Sequence, residues 1–466
     1  MRPPERFLAA IAALTLAGGC SLAPKYARPA APVPPELPAP VVAGPAGEVP
    51  PIAPWREFVA DERLRAVVEM TLANNRDLRT AALNAERVGA FYRIQRAELY
   101  PSIGASAGVQ VSHVPDSVAG EGEGYTSHPY SLSVGFTSWE LDLFGRIRSL
   151  KEQALNEYLA AQQVAAATQT SLIAAAASTY LALAADAEEK RLAEATLAAQ
   201  RQTLEMIQKS REVGVASDLD VRQVQTQVES ARALVARYGG LVETDRHALE
   251  LLAGRPIPPD LLPGSLAEVA PLQPVAAGVS SEVLLRRPDV IAAEYQLKGL
   301  NASIGAARAA LFPRISLTAA IGLVSPDLSN LFKGSSGAWS FAPQAAAPIF
   351  NAGALKANVE ATRLARDAAV AQYEKAIQSA FREASDALVL RTSLVEQRDA
   401  EAALVKALEE TYRLSEARYK AGIDGYLGVL VAQRALFSAQ QALVGVRLAE
   451  QQNLVNLYKV LGGGVS

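Results

Sequence analysis

Two stretches of the chain carry apolar residues at alternating steps of three and four. Val221, Val224, Val228, Ala231, Val235, Tyr238 and Val242 form the first series. Val429, Ala432, Leu436, Ala439, Leu443 and Val446 form the second. A sustained 3.5-residue period predicts a coiled-coil seam. A polar residue then falls in phase in each series, Asp245 in the first and Asn453 in the second, before Leu249 and Leu457 resume the apolar pattern. Each series is preceded by 68 residues without Pro or Gly, at 146–213 and 354–421. As one continuous helix, such a segment runs about 100 Å at 1.5 Å per residue. Long helices each followed by a shorter one predict rods, bundles or tubes, since no compact globule needs that length.

The period changes to two in four short segments. In residues 102–112, Ile103, Ala105, Ala107, Val109 and Val111 alternate with Ser, Gly and Gln; in 130–137, Tyr130, Leu132, Val134 and Phe136 do the same. Ile315, Leu317, Ala319, Ile321 and Leu323 form a third face, and a weaker fourth segment surrounds Trp339 and Phe341, interrupted by Pro343. The expected strands are about 101–114, 128–140, 313–325 and 337–349. Gly-rich polar linkers at 115–127 and 326–337 join them as two hairpins. Such a pattern fits a half-exposed sheet on a soluble domain. It also fits a membrane barrel, whose strands turn one face to lipid and the other to a wet lumen. Four strands cannot close a barrel, and open edges in hydrocarbon are prohibitive, so a barrel requires several copies.

The chain repeats itself. The sequence Arg96-Ala97-Glu98-Leu99-Tyr100-Pro101 returns as Arg308-Ala309-Ala310-Leu311-Phe312-Pro313, and Gly214, Leu219 and Val221 return as Gly422, Leu427 and Val429, 208 positions later. Two copies in register imply one duplicated unit. The first repeat spans 55–254, a Pro-rich linker 255–287, and the second repeat 288–466, with long helices expected at about 354–421 and 425–461. Residues 164–185 hold no charge, which would suit a spanning helix. Their many Ala, Ser and Thr residues instead favour close helix packing.

Composition narrows the chemistry. Half of the 466 residues are apolar, a fifth are charged, and the formal net charge is −3. No excess of positive charge favours nucleic acid. Three histidines and one cysteine leave almost no means of building a zinc, iron–sulfur or disulfide site. No phosphate-binding loop or Gly-x-Ser-x-Gly elbow is present, so neither an enzyme nor a cofactor is expected. Arg2 and Arg6 precede an apolar run at 7–17, which reads as a secretory signal peptide over 1–19. It ends in Leu16-Ala17-Gly18-Gly19-Cys20, similar to the lipobox of bacterial lipoproteins, which implies a lipid on Cys20. Ser21 after it favours sorting to the outer membrane. Residues 20–54 then form a Pro- and Ala-rich spacer.

The order of strand hairpin, long helix and shorter helix, twice over, resembles the outer membrane factor family. These are the TolC-like and OprM-like (NodT-type) lipoprotein ducts of tripartite RND-type efflux systems. The most family-like stretches are Cys20–Tyr26 with Arg28-Pro29, Gly214-Val215-Ala216-Ser217, Arg286-Arg287-Pro288-Asp289 and Leu457–Gly463. The resemblance implies a homotrimer in which four strands per chain make a shared twelve-stranded outer-membrane barrel and the helices make a periplasmic tube. It implies a periplasmic adaptor and an inner-membrane transporter as partners, with drugs, solvents or metal ions as cargo. The turns at Gly214, Val215, Ala216, Ser217 and Asp218, and at Gly422, Ile423 and Gly425, resemble adaptor-docking tips, with Asp218 expected to cap the helix that follows. Arg418, Tyr419 and Leu427 match the family's constricting positions at the periplasmic aperture. A carboxylate common in the family four residues after that leucine is Val431 here, and Asp424 lies nearby to supply negative charge. A duct for protein secretion would share this fold. A periplasmic adaptor fits less well, because it normally has one hairpin and no duplicated strand pair.

Overall fold

The computed structural model describes residues 21–37, 53–118, 123–273 and 280–463. The signal peptide, Cys20 and residues 38–52 of the spacer lie outside the described residues. The chain divides into two compact units.

One unit comprises the described residues up to Ala30, Asn84–Ala161 and Ala292–Tyr373. Its centre is a four-stranded antiparallel sheet in the order β1-β4-β5-β6, with β1 at Ile103–Val109, β4 at Tyr130–Leu141, β5 at Arg314–Ser325 and β6 at Gly337–Ala346. The first expected strand is in fact two. The ladder between β1 and β4 stops at Val109, opposite Tyr130, and the next residue donates its N–H to Pro129 O at 3.2 Å. Pro129 has no N–H to return, so the ladder breaks. It resumes as a separate ribbon of β2 (Ser112–Val114) and β3 (Tyr125–Ser127). Pro343, expected to interrupt the fourth strand, lies inside β6 opposite Leu317. An edge strand tolerates the missing donor, because one side of its backbone has no ladder to supply. β6 ends at Ala346, short of the expected 349.

In the same unit, the N-terminal segment straps helix α6 (Pro288–Ala309). Arg308 Nη1 donates to Leu22 O at 3.0 Å, and Asn301 Nδ2 donates to Pro24 O at 2.8 Å. Arg28 and the Tyr26 hydroxyl both reach Glu294, at 2.6 and 3.1 Å. Positions 308, 301 and 294 are seven apart and share one face of a helix. Residues 22–28 in extended form cover about 20 Å at 3.3 Å per residue, the length of those two heptads.

The other unit comprises Ala31–Leu83, Gln162–Ile291 and Glu374 onward. It is helical, built from α1 (Trp55–Phe58), α2 (Glu62–Asn74), and the larger parts of α4 (Arg146–Glu212) and α7 (Ala354–Lys420), with α5 (Asp218–Ala253) and α8 (Tyr426–Val460). Helix α3 (Arg76–Ala97) contributes to both units. The 3.5-residue seams bury Val221, Val224, Val228 and Ala231 on α5, and Val429, Ala432, Ala439 and Val446 on α8. Asn453 keeps its place in the seam by donating to Ala387 O at 3.0 Å. Asp245 faces Asp186 of α4, and burial raises the pKa of both carboxyls. Helix α4 is long and apolar enough to cross a membrane, but most of its apolar window is buried in the protein. Ile173, Ala176, Tyr180 and Leu181 are at most 1% exposed there.

Candidate aperture and assembly edges

Both long helices end in the same turn. Gly214 has φ 77 and Gly422 φ 72, a left-handed conformation open to glycine without a Cβ clash. Val215 N–H donates to Ser210 O and Gly214 N–H to Arg211 O; Ile423 donates to Arg418 O and Gly422 to Tyr419 O, all at 2.8–3.0 Å. This pair of bonds is a Schellman motif, which satisfies the last carbonyls of a helix.

The two turns differ in how the next helix begins. Ser217, not Asp218, caps α5. Its hydroxyl accepts from Asp220 N–H at 3.2 Å, while the Asp220 carboxylate accepts the Ser217 N–H at 2.9 Å. These bonds form a capping box and hold the Asp220 carboxyl below its ordinary pKa. Asp218 is engaged elsewhere, with Arg211 at 2.8 Å. Its position one residue into the helix prevents it from reaching back to cap. Gly425 stands at the N-cap of helix α8 and gives it no side-chain cap. The second turn is fastened by Arg418, whose Nη2 meets Asp424 Oδ1 at 3.1 Å while Nε binds the other carboxylate oxygen.

The structure brings Arg418 and Asp424 together but separates Tyr419 from Leu427. Tyr419 turns inward and meets Tyr426 edge to face at 5.4 Å, against a core of Ile207, Val221, Val224, Val429 and Leu430. Burial, then the charge of Asp220, raises its pKa; burial pushes the Tyr426 hydroxyl up to about 12. Leu427 is not in the seam. It is 59% exposed, one helical turn before Val431 at 60%, so both lie on one uncovered face of α8. Val213, Val215, Leu219 and Ile423 at the turns are also exposed. Ala216 packs against the inner core, and Gly425 has open space where a Cβ would stand.

A second set of uncovered groups lies on the sheet. Every residue of β1 is exposed, as is nearly every residue of β6, while β4 and β5 are mostly half-buried. The outer edges of β1 and β6 pair with no strand among the described residues. Ile103, Val109, Ile321, Trp339 and Phe341 are 52–79% exposed. Apolar exposure on this scale marks an interaction or membrane surface.

Sequence reasoning missed one buried cluster whose motif it had noticed. The Arg287 side chain is 8% exposed and holds Asp289 at 2.7 Å and Glu383 at 2.9 Å, and donates to Val460 O at 3.0 Å. Burial opposes the charge of Arg287, but its carboxylate partners outweigh that and raise its pKa. The Asp289 carboxyl is correspondingly held low. The sequence signal was an arginine directly before a helix-starting Pro-Asp.

A fold of duplicated long helical hairpins with a small sheet of uncovered edges is that of the TolC-like outer-membrane channels. The family model of outer membrane efflux proteins matches residues 67–255 and 279–463. The chain is 46% identical over 450 residues to the probable efflux pump outer membrane protein TtgC of Pseudomonas putida, covering 96% of this chain and 93% of that one. It is 45% identical over 458 residues to the solvent efflux pump outer membrane protein SrpC of the same species, covering 97% of each. The open state of the Neisseria gonorrhoeae MtrE outer membrane channel superposes with a TM-score of 0.86 at 37% identity, covering 96% of this chain and 99% of that one. The chain belongs to the outer membrane efflux protein family. It is an outer-membrane channel component of an efflux pump, and its role is transport.

Proposed function

We propose that three copies close one twelve-stranded barrel in the outer membrane and that their helices form a periplasmic tube gated at the turns around Gly214 and Gly422. The observation that carries this reading is the sheet itself: four strands with both outer edges unpaired and apolar residues uncovered. In hydrocarbon each unpaired backbone group costs several kcal/mol, so the edges must meet other copies. Trimer migration on a gel that collapses to monomer on heating is the expected result. A detergent-solubilised chain that stays monomeric and forms no conducting pore in planar bilayers would refute it.

The channel conducts passively. An inner-membrane RND-type transporter supplies the energy, and a periplasmic adaptor docks on the turns at 214–218 and 422–425. The exposed Leu427 and Val431, one turn apart, form an apolar constriction, with Arg418 and Asp424 beside it. No acidic ring stands at the level of Val431. The relatives' names point to solvents, and small organic molecules are the proposed cargo. A lipid on Cys20 holds the assembly to the membrane. The strap supports this, since Leu22 is tied to Arg308, six residues before β5 begins. Palmitate labelling that is lost in Cys20→Ala is the expected outcome.

A further inference from the structure

Where the strands give way to helices, a cavity of about 610 Å³ lies in the unit that holds the sheet. Its lining comes from the ends of β4, β5 and β6 and from nearby residues of α4, α6 and α7. The walls are mainly apolar: Leu141, Leu143 and Leu355, with Phe144 stacked on Phe312 at 4.8 Å between centroids. A volume of this size suits a small organic ligand or one chain of a lipid.

The polar groups around the cavity are unevenly matched. Arg146 satisfies the Glu140 carboxylate with two bonds, at 2.9 and 2.8 Å. Arg148 takes Asp142 at 3.0 Å. Arg314 reaches the same Glu140 only through Nε, at 3.1 Å, and its side chain is 60% exposed. Its two terminal nitrogens have no partner among the described residues, and neither has the side-chain amide of Asn351, which also lines the cavity. Three arginines thus stand against two carboxylates, and the surplus cation sits at an apolar hollow. The duplication does not demand that cation, since the position matching Arg314 in the first repeat is Ser102. The cavity lies on the helix faces that carry the N-terminal strap. Ala23 runs in the groove between α4 and α6: a Cβ at Gly305 would fall 2.8 Å from Ala23 Cβ and 2.5 Å from Ser149 Oγ. Ala309 is one turn on from Gly305 and Arg146 one turn back from Ser149, so they share those faces, and both line the cavity.

We propose that this cavity binds one anionic phospholipid per chain, its phosphate on Arg314 and Asn351 and an acyl chain along Phe144 and Phe312. The inference rests on the barrel reading above, in which the strand ends mark the edge of the hydrocarbon, the level where lipid phosphates lie. A guanidinium matches a phosphate through two parallel bonds, and the free end of Arg314 offers that fork. The net charge of the lipid matters too. Glu140 is already held by two arginines, so no carboxylate is left to receive the ammonium of a zwitterionic headgroup. The apolar walls then take a chain that has the bilayer as its only other apolar surroundings.

The test is native mass spectrometry of the detergent-purified protein, titrated with phosphatidylglycerol or phosphatidylethanolamine. One phosphatidylglycerol per chain is expected, held about tenfold more tightly than phosphatidylethanolamine. Arg314→Ala should abolish that preference, while Lys333→Ala, a cation in the loop at the other end of β5 and β6, should keep it. A second variant guards against misfolding through the loss of Arg314. Ala354→Trp fills the cavity from an exposed position and should weaken the binding of both lipids. Equal binding of the two lipids, or a preference indifferent to Arg314→Ala, would overturn the site. So would phosphatidylglycerol bound only by Cys20→Ala, which would give the cavity to the acyl groups of Cys20 itself. Each of these outcomes leaves the trimer standing, whereas a chain that forms neither trimer nor pore would overturn the barrel reading instead.

Discussion

Replacing Arg287 by Met removes the one cation that Asp289 and Glu383 share and leaves the Val460 carbonyl without its donor. Breaking a buried ion pair by deleting one partner costs about 3–5 kcal/mol, because the other charge stays behind unpaired. The Asp289 and Glu383 side chains are 48% and 37% exposed, so water recovers part of the loss. The lower end, about 3 kcal/mol, is therefore expected, which is more than a hundredfold in the folding equilibrium. The assay is urea unfolding of the detergent-solubilised protein in a Trp139→Phe/Trp339→Phe background. It follows Trp55, which is 1% exposed and lies in the same unit as Arg287. A triple variant, Arg287→Met/Asp289→Asn/Glu383→Gln, removes all three charges and should recover most of the loss, since a neutral cluster has no stranded ion. A single variant that costs under about 1 kcal/mol, or a triple variant as unstable as the single, would refute the assignment of charge pairing to this cluster.

The Asp186–Asp245 pair predicts a dependence on pH. Burial, then the charge of Asp245, raises the Asp186 carboxyl from its ordinary 3.8 to about 6, and burial also raises Asp245. The folded chain keeps a proton that the unfolded chain releases, so this stability is present at low pH and lost as pH rises through 6. The melting temperature should fall between pH 5 and pH 7.5, and Asp186→Asn should flatten that part of the profile. Ser217→Ala should cost about 1 kcal/mol through the lost cap and quicken amide exchange in the first turn of α5, whereas Asp218→Ala should leave that exchange nearly unchanged. Leu427→Ala with Val431→Ala should raise single-channel conductance in planar bilayers; an unchanged conductance would remove both from the constriction.

The seams were legible because burial on a helix imposes its period on the sequence, and Val221 through Ala231 are buried as that period requires. The polar breaks at Asp245 and Asn453 were visible too, but their partners were not. Asp186 and Ala387 lie 59 and 66 residues away on other helices, and no local pattern links them. Pro343 misled because a proline reads as a strand breaker unless the strand is known to be an edge, and that is a property of the sheet. The capping of α5 was misassigned by one residue, since Ser217 and Asp218 are both good capping types and only backbone geometry chooses between them. Tyr419 and Leu427 looked alike from their place beside the turn. Only the crossing of the two hairpins turns one inward and leaves the other uncovered.

The two turns share a backbone and differ in their fastenings. The first keeps a network of hydroxyl and amide bonds between Ser217 and Asp220, which dissolved salt touches little, beside an exposed ion pair of its own between Arg211 and Asp218. The second has no side-chain cap and only the exposed pair of Arg418 with Asp424, which small ions can compete away. A single duplication has thus produced, in the same polypeptide, one corner whose side-chain cap outlasts the screening of its ion pair and one with no cap to fall back on. Raising the salt around the turns would loosen the side-chain fastening of the second corner more than that of the first.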